Sequence, residues 1–140
     1  MTLPALPDVL NCPLRAAWNA QSQDPRQQRA VDAGPPGTKR RWSSVARGVQ
    51  LEIEVGRLGK AVFEKFYRVT TQTGSLPFTM QDPTTHGWPL LASDGRALLG
   101  PDGTPILLAA TWVCKFGQEM PSERLIGARF QIAFPIWVMP

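Results

Sequence analysis

Between residues 49 and 55 apolar and polar side chains alternate without a break. Val49, Leu51, Ile53 and Val55 are apolar, and Gln50, Glu52 and Glu54 between them are polar. A period of two predicts a strand with one face in a core and one face in water. From Arg57 the period changes. Leu58, Val62, Phe66 and Val69, with Phe63 beside them, fall at helical spacing and predict one amphipathic helix over residues 57–70. Lys60, Glu64 and Arg68 stand four apart on its outer face, where such pairs give roughly 0.2–0.5 kcal/mol each. The helix runs out between Thr70 and Gly74, and Leu76-Pro77-Phe78 follows. Further strands are expected at 40–45, at 97–99 and at 105–116, the last with Ile106, Leu108, Ala110, Trp112, Cys114 and Phe116 on one face. A closing strand is expected at 124–138, with Phe130, Ile132, Phe134, Ile136 and Val138 on one face. Pro135 inside it argues for an edge position or a bulge. Ser93-Asp94-Gly95-Arg96 and Pro101-Asp102-Gly103-Thr104 are turn signals that outline a protruding hairpin loop. No internal repeat is expected. The pattern is α+β, mostly β, with one helix.

Residues 1–38 break this regularity. Pro4, Pro7, Pro13, Pro25, Pro35 and Pro36 forbid a long helix or a central strand there. Leu3, Leu6, Val9, Leu10, Leu14 and Trp18 recur as apolar anchors. The expected organisation is an extended arm over 1–38, docked on a neighbour or on the body, and one β-rich domain over 39–140.

Composition sharpens this in two places. A chain of 140 residues with 43% hydrophobic content suits one domain with a real core. The net charge is +4. From Val49 onward eight basic residues balance eight acidic ones, so the whole excess lies in the first third, where Arg15, Arg26, Arg29, Lys39, Arg40, Arg41 and Arg47 face Asp8, Asp24 and Asp32. Such an excess fits a segment touching nucleic acid or an acidic protein surface, and equally a plain solvated segment. The N-terminus lacks the basic start and apolar run of a secretion signal, and every apolar run is too short to span a bilayer, so a soluble protein made in a cytoplasm without a membrane anchor is expected.

Catalytic chemistry is sparse. His86 is the sole histidine and sits in a Thr-Thr-His-Gly-Trp loop, where a hydrogen-bonding role is expected. Asp82, Asp94 and Asp102 occupy turn contexts, in which aspartate caps its own backbone. Cys12 and Cys114 make no framework, and no metal-ligand spacing is present. No enzyme, cofactor or metal is expected. Trp18, Trp42, Trp88, Trp112 and Trp137 are interleaved with aliphatic residues rather than Arg and Lys, which favours core or subunit interface over a base-stacking platform. A carbohydrate-binding sandwich using Trp88 and Trp112 is a further alternative.

The order of segments carries a resemblance. Arg40-Arg41-Trp42, the strand Val49 to Val55, the helix with Phe63-Glu64-Lys65-Phe66-Tyr67, the exit Thr73-Gly74-Ser75-Leu76-Pro77-Phe78, a proline loop and the close Phe130-Gln131-Ile132-Ala133-Phe134-Pro135-Ile136-Trp137 together resemble small minor tail proteins of tailed bacteriophages, including tail-tip proteins of lambda-like phages. The resemblance covers roughly residues 40–140. It implies a tail-tube-like β-sandwich or barrel flanked by one helix, in a non-enzymatic structural protein of the virion tail. It also implies a homo-oligomeric ring, expected as a hexamer, around the tail channel at the distal hub, in contact with neighbouring tail proteins and transiently with passing DNA. A head–tail neck or terminator ring is the alternative place, and a basic nucleic-acid-binding module the alternative function. On this reading Leu6, Leu10, Trp18, Trp42, Trp88 and Trp137 are interface candidates. Gln50, Glu52 and Glu54 form either a channel lining that repels DNA or an ordinary solvent face.

Overall fold

The computed structural model describes residues 2–140. Its strands are β1 (Asn19–Ser22), β2 (Arg26–Arg29), β3 (Gly37–Arg40), β4 (Arg47–Val55), β5 (Phe78–Gln81), β6 (Thr111–Phe116), β7 (Ser122–Ile126) and β8 (Arg129–Val138), with one helix α1 (Arg57–Lys65). The fold is mostly β with a single short helix. β1, β4, β8, β6 and β5 lie in that order in one antiparallel sheet, with β7 also on β8, while β2 and β3 form a separate two-stranded ribbon.

The alternating segment behaves as its pattern predicts. β4 pairs with β8 over its whole length, from Arg47 opposite Val138 to Val55 opposite Phe130. Val49, Leu51, Ile53 and Val55 meet Ile132, Phe134, Ile136 and Val138 on one buried face. Phe78, Met80, Cys114 and Phe116 extend that face across β5 and β6. Phe63 and Phe66 close it from above, with ring centroids 5.3 Å from Phe134 and Phe78 respectively.

Pro135 is not at an edge, because β8 is the central strand. The Pro135 carbonyl accepts the Gly117 N–H at 2.9 Å. On an extended strand a residue's N and C=O point to the same side, so the missing donor faces away from β4. On that side β6 pairs only as far as Ile136, and β7 begins at Ala133. The proline therefore sits in the gap where one partner strand ends and the other starts.

The helix also departs from expectation. After Lys65 it widens into a π-helical turn, Phe66–Thr70, in which the Thr71 N–H donates to the Phe66 carbonyl. That widening rotates Val69 into solvent, and Leu58 in the first turn is exposed as well. The buried stripe is Phe63 and Phe66, with Val62 and Tyr67 packed at its margin. Lys60 forms its ion pair with Glu123 of β7, at 2.9 Å, rather than with Glu64, and lies 4.5 Å over the Phe130 ring.

The N-terminal segment is part of the body over its first half. The Leu6 N–H donates to the Thr79 carbonyl at 2.7 Å, and the Thr79 N–H to the Pro4 carbonyl at 2.8 Å, laying residues 4–6 along the outer edge of β5. Leu14 then donates to Glu52, and β1 pairs with the start of β4. One segment thus pairs along β5 on one side of the sheet and along β4 on the other. Leu6 and Leu10, expected to grip a neighbour, are buried in the protein's own core, because the turn Asp8–Leu10 carries the chain across the open end of that core. The expected strand at 40–45 is replaced by β3, which pairs with β2 rather than with the body. The expected strands at 105–116 and 124–138 shorten to β6 and β8, with β7 split off at Gly127.

Cys12 is exposed and Cys114 buried, and both are free. Burial pushes the Cys114 thiol up to about 12. At pH 8 a thiol reagent is expected to modify Cys12 alone, with Cys114 reacting only in denaturant. Rapid modification of both in the native protein is the contrary result. A second expectation concerns Gly59, where an added Cβ would lie 2.6 Å from the Val55 Cβ. Gly59→Ala forces α1 off β4, and denaturant titration should show a loss of about 1–3 kcal/mol despite the better helix propensity of alanine.

Candidate assembly interface

The connection from β5 to β6 does not close as a simple hairpin. It grows into a tongue over residues 82–110. At its base Asp82 caps the loop. The Thr84 N–H and hydroxyl donate to Oδ1, and the Thr85 hydroxyl donates to Oδ2 at 2.6 Å. Burial alone would raise this carboxyl, but the hydrogen bonds from Thr84 and Thr85 outweigh it and hold it below its ordinary value. His86 packs here too. Its Nδ1 and the Ala110 N–H are 3.2 Å apart, and the Asp82 N–H donates to the Ala110 carbonyl. The histidine ties the two sides of the tongue together.

Above this base the chain repeats itself every eight residues, contrary to expectation. Pro89-Leu90-Leu91-Ala92-Ser93-Asp94-Gly95-Arg96 is followed by Ala97-Leu98-Leu99-Gly100-Pro101-Asp102-Gly103-Thr104 and then Pro105-Ile106-Leu107-Leu108. Backbone hydrogen bonds repeat with the sequence. The Leu98 N–H donates to Leu90, that of Ile106 to Leu98 and that of Leu90 back to Ile106, at 2.8, 2.9 and 2.8 Å, closing a ring of three. Outside that ring Ala92 donates to Arg96, Gly100 to Thr104 and Leu108 to Trp88. Leu91 bridges Ala97, Leu99 bridges Pro105, and Leu107 bridges Pro89. The tongue is a three-armed cloverleaf. Two arms close through Asp-Gly turns, where Gly95 and Gly103 take φ of +83° and +79°, a conformation glycine tolerates. The third arm is the stem that opens onto the body.

Side chains follow the same symmetry. Leu90, Leu98 and Ile106 are 37%, 42% and 43% exposed, and Leu91, Leu99 and Leu107 are 60%, 60% and 59% exposed. Neighbouring positions on extended backbone point to opposite faces. The thin cloverleaf thus carries three aliphatic residues on each side with no core between them. Two such clusters, joined by exposed Trp88 at the stem, form an apolar surface that a solitary soluble protein rarely shows.

The candidates drawn from the sequence are scattered. Trp18 and Trp88 line one cleft of about 690 Å³ beneath the tongue, together with Arg15 and His86. Trp18 also packs against Trp112 at 6.0 Å, and Arg47 lies 4.9 Å over the Trp112 ring, so Trp112 is committed within the fold rather than presented to a ligand. Trp42 is exposed at the foot of the β2–β3 ribbon, with Arg41 5.1 Å above it. Trp137 lies across Gly48, where an added Cβ would be 3.2 Å from its ring. Gln50 is exposed, and Glu52 and Glu54 are half-buried on the sheet's outer face. That face is not an acidic stripe. Arg129 pairs with Glu54 at 3.0 Å, and Arg124 lies 3.8 Å from Glu52 while hydrogen-bonding Gln131. Missed altogether were Leu90, Leu91, Leu98, Leu99, Ile106 and Leu107, although the eight-residue period is plain in the sequence.

Among the described residues no group of three or more His, Cys, Asp or Glu could hold a metal, and no helix is long and apolar enough to cross a membrane. No protein-family model matches the chain, and no curated protein matches it closely enough to count. Among solved structures, a chain described as part of the virion of a native gene transfer agent particle matches over 97% of this chain and 95% of its own, with a TM-score of 0.57 and 8% identity. At that identity the likeness is one of fold, extending over essentially the whole of both chains.

Asp82→Asn tests the base of the tongue. The amide cannot accept from both threonines at once, so stability should fall by about 1–2 kcal/mol. Because the carboxyl is lowered in the folded protein, its contribution is full above the ordinary aspartate range and is lost as pH falls through it. The gap between wild type and variant in denaturant titrations should therefore narrow progressively as pH falls below the ordinary aspartate range. A gap that persists unchanged in acid would assign the effect to something other than the charged carboxylate.

Proposed function

We propose that this chain is a non-enzymatic structural subunit of a phage-like virion, a tail-tube-like β domain that assembles into a ring around the tail channel. The observation that carries this reading is the cloverleaf tongue, with an aliphatic triad on each face and no core of its own. Three short arms joined at a ring of three hydrogen bonds bury little apolar area, and a small isolated β element is marginal in water. Covering either triad with a neighbouring subunit removes three large aliphatic side chains from solvent, worth roughly 1.5–3 kcal/mol apiece. The fold shared with a virion component of nearly the same length supports a structural role. The N-terminal segment supports it differently. By pairing along β5 and β4 it leaves association to the tongue and to β7, which pairs only with β8 and has five exposed residues. Neighbouring tail proteins and further copies of the chain are the partners, and a neck or terminator ring would use the same surface.

The test is the triple substitution of Leu91, Leu99 and Leu107 by Ser. These residues are exposed, so the thermal transition should move by only a few degrees. Association, read by light scattering on a sizing column and by incorporation into particles, should weaken by about a thousandfold. A wild-type chain that stays monomeric at high concentration and is absent from assembled particles would end the reading. So would a triple variant that assembles as well as wild type.

A further inference from the structure

The β2–β3 ribbon has no role in the fold or in the tongue. It is the far end of the β1–β4 hairpin, tied at its foot by Gln23 donating to Ala46 and by Arg41 and Trp42 donating to Pro25. Every residue from Arg26 to Ser44 is exposed. The strand sequences, Arg-Gln-Gln-Arg and Gly-Thr-Lys-Arg, contain no apolar side chain. Between Arg26 and Arg41 lie five cations and one anion, Asp32, and the remainder of the chain is balanced at ten of each sign. The entire net charge of the protein thus stands on one protrusion.

From this we infer that the β2–β3 ribbon is a contact for the phosphate backbone of duplex DNA, without base specificity. The register puts cations on both faces. Arg26 stands opposite Arg40 on one face, and Lys39 lies opposite Gln27 with Arg29 next along on the other. Packed like charges on a thin element repel one another unless a polyanion lies against them. Arg26 is already held by Asp24, at 2.8 and 3.0 Å. Arg29, Lys39, Arg40 and Arg41 remain for a ligand. Gln27, Gln28 and Thr38 add neutral donors of the kind that position a protein on phosphate and sugar. A protein partner fits less well, since the centres of protein interfaces are depleted in charge and rich in aromatic residues, and these strands have neither property. Single-stranded nucleic acid fits less well too, because the ribbon strands carry no ring on which bases stack and the one ring at their foot, Trp42, is already covered by Arg41. A two-stranded ribbon also has the dimensions to enter a major groove.

The contact does not depend on ring formation, so it can be measured on the isolated chain and on the Leu91, Leu99, Leu107 variant alike. The probe is a short fluorescein-labelled DNA duplex of random sequence, read by anisotropy across a salt series. Four free cations predict that log K falls against log salt with a slope near −3.6, about two orders of magnitude between 50 and 200 mM. Replacing Arg29, Lys39 and Arg40 by Gln should flatten that slope by about 0.9 for each cation removed, while Arg68→Gln on the helical segment leaves it unchanged. Thermal melting of the triple variant should match wild type, since none of the three side chains is buried. The inference is overturned if the duplex is not retained at low salt, if the ribbon variant binds with the wild-type slope, or if Arg68→Gln flattens it equally. Tighter binding of the single strand than of the duplex also overturns it. Loss of particle incorporation by the ribbon variant without any DNA binding would instead reveal an acidic protein partner.

Discussion

The pairing of β4 with β8 is the constraint from which the rest of the structure follows. Over nine residue pairs it sets four apolar residues of one strand against four of the other on a single face. A slip of one residue would carry Glu52 and Glu54 into the aromatic cluster around Phe134, so the register is specified by the cost of burying two carboxylates. Pro135 imposes the same register independently. Its missing donor is tolerable only on the side away from β4, and only where β6 and β7 leave a gap. Gly117 reinforces that position, because an added Cβ there would meet the Pro135 ring at 3.0 Å. Hydrophobic alternation and hydrogen-bond satisfaction thus demand one alignment.

Once that sheet exists, its edges become a hazard. Unpaired N–H and C=O groups on an outer strand invite pairing with any other strand. Here the problem is met by the first part of the chain, which lies parallel to β5 at residues 4–6 and antiparallel to β4 from Leu14 through β1. Leu6 and Leu10 are buried between these two contacts and anchor the segment. Prolines at positions 4, 7 and 13 suit it, since an edge segment needs hydrogen bonds on one side only. The surfaces left open to a partner are then the apolar side chains of the tongue and the free edge of β7.

Where a residue's fate is decided by neighbours in sequence, the chain was readable. The alternation of β4, the helix start at Arg57, the Asp-Gly turns and the core face of β8 all follow from local period, and the structure has them. What was not readable depends on distant partners. Val69 has helical spacing, yet the widened turn at Phe66–Thr70 turns it outward, and that turn answers to the packing of Phe66 on Phe78. Leu6 and Leu10 look like anchors for a neighbour because nothing near them in sequence shows that β5 will lie alongside. Glu52 and Glu54 read as an acidic stripe because Arg124 and Arg129 arrive from the other end of the chain. The eight-residue repeat is a different case. It was legible, but the Asp-Gly turns within it read naturally as ordinary hairpins, and hairpin geometry hides a period that matters only when three arms meet.

The registers also say where the two protrusions stand. Arg47, Val138, Cys114 and Phe78 lie at one level across the sheet. The ribbon continues beyond Arg47, and the tongue continues beyond Gln81 and Thr111, so both leave the same end of the sheet, on opposite sides of β8. Their needs are opposed. An aliphatic surface gains by losing water, whereas cations lose far more by dehydration than a single ion pair returns. Mixed on one element, the five cations would keep the leucine triads wet and the triads would leave the cations without room for a polyanion. With the strands of the sheet between them, one surface can be sealed against a neighbour while the other stays hydrated and charged. The same ladder that specifies the core therefore also specifies this separation, since the positions of β1 and β5 at opposite edges follow from β8 lying in the middle.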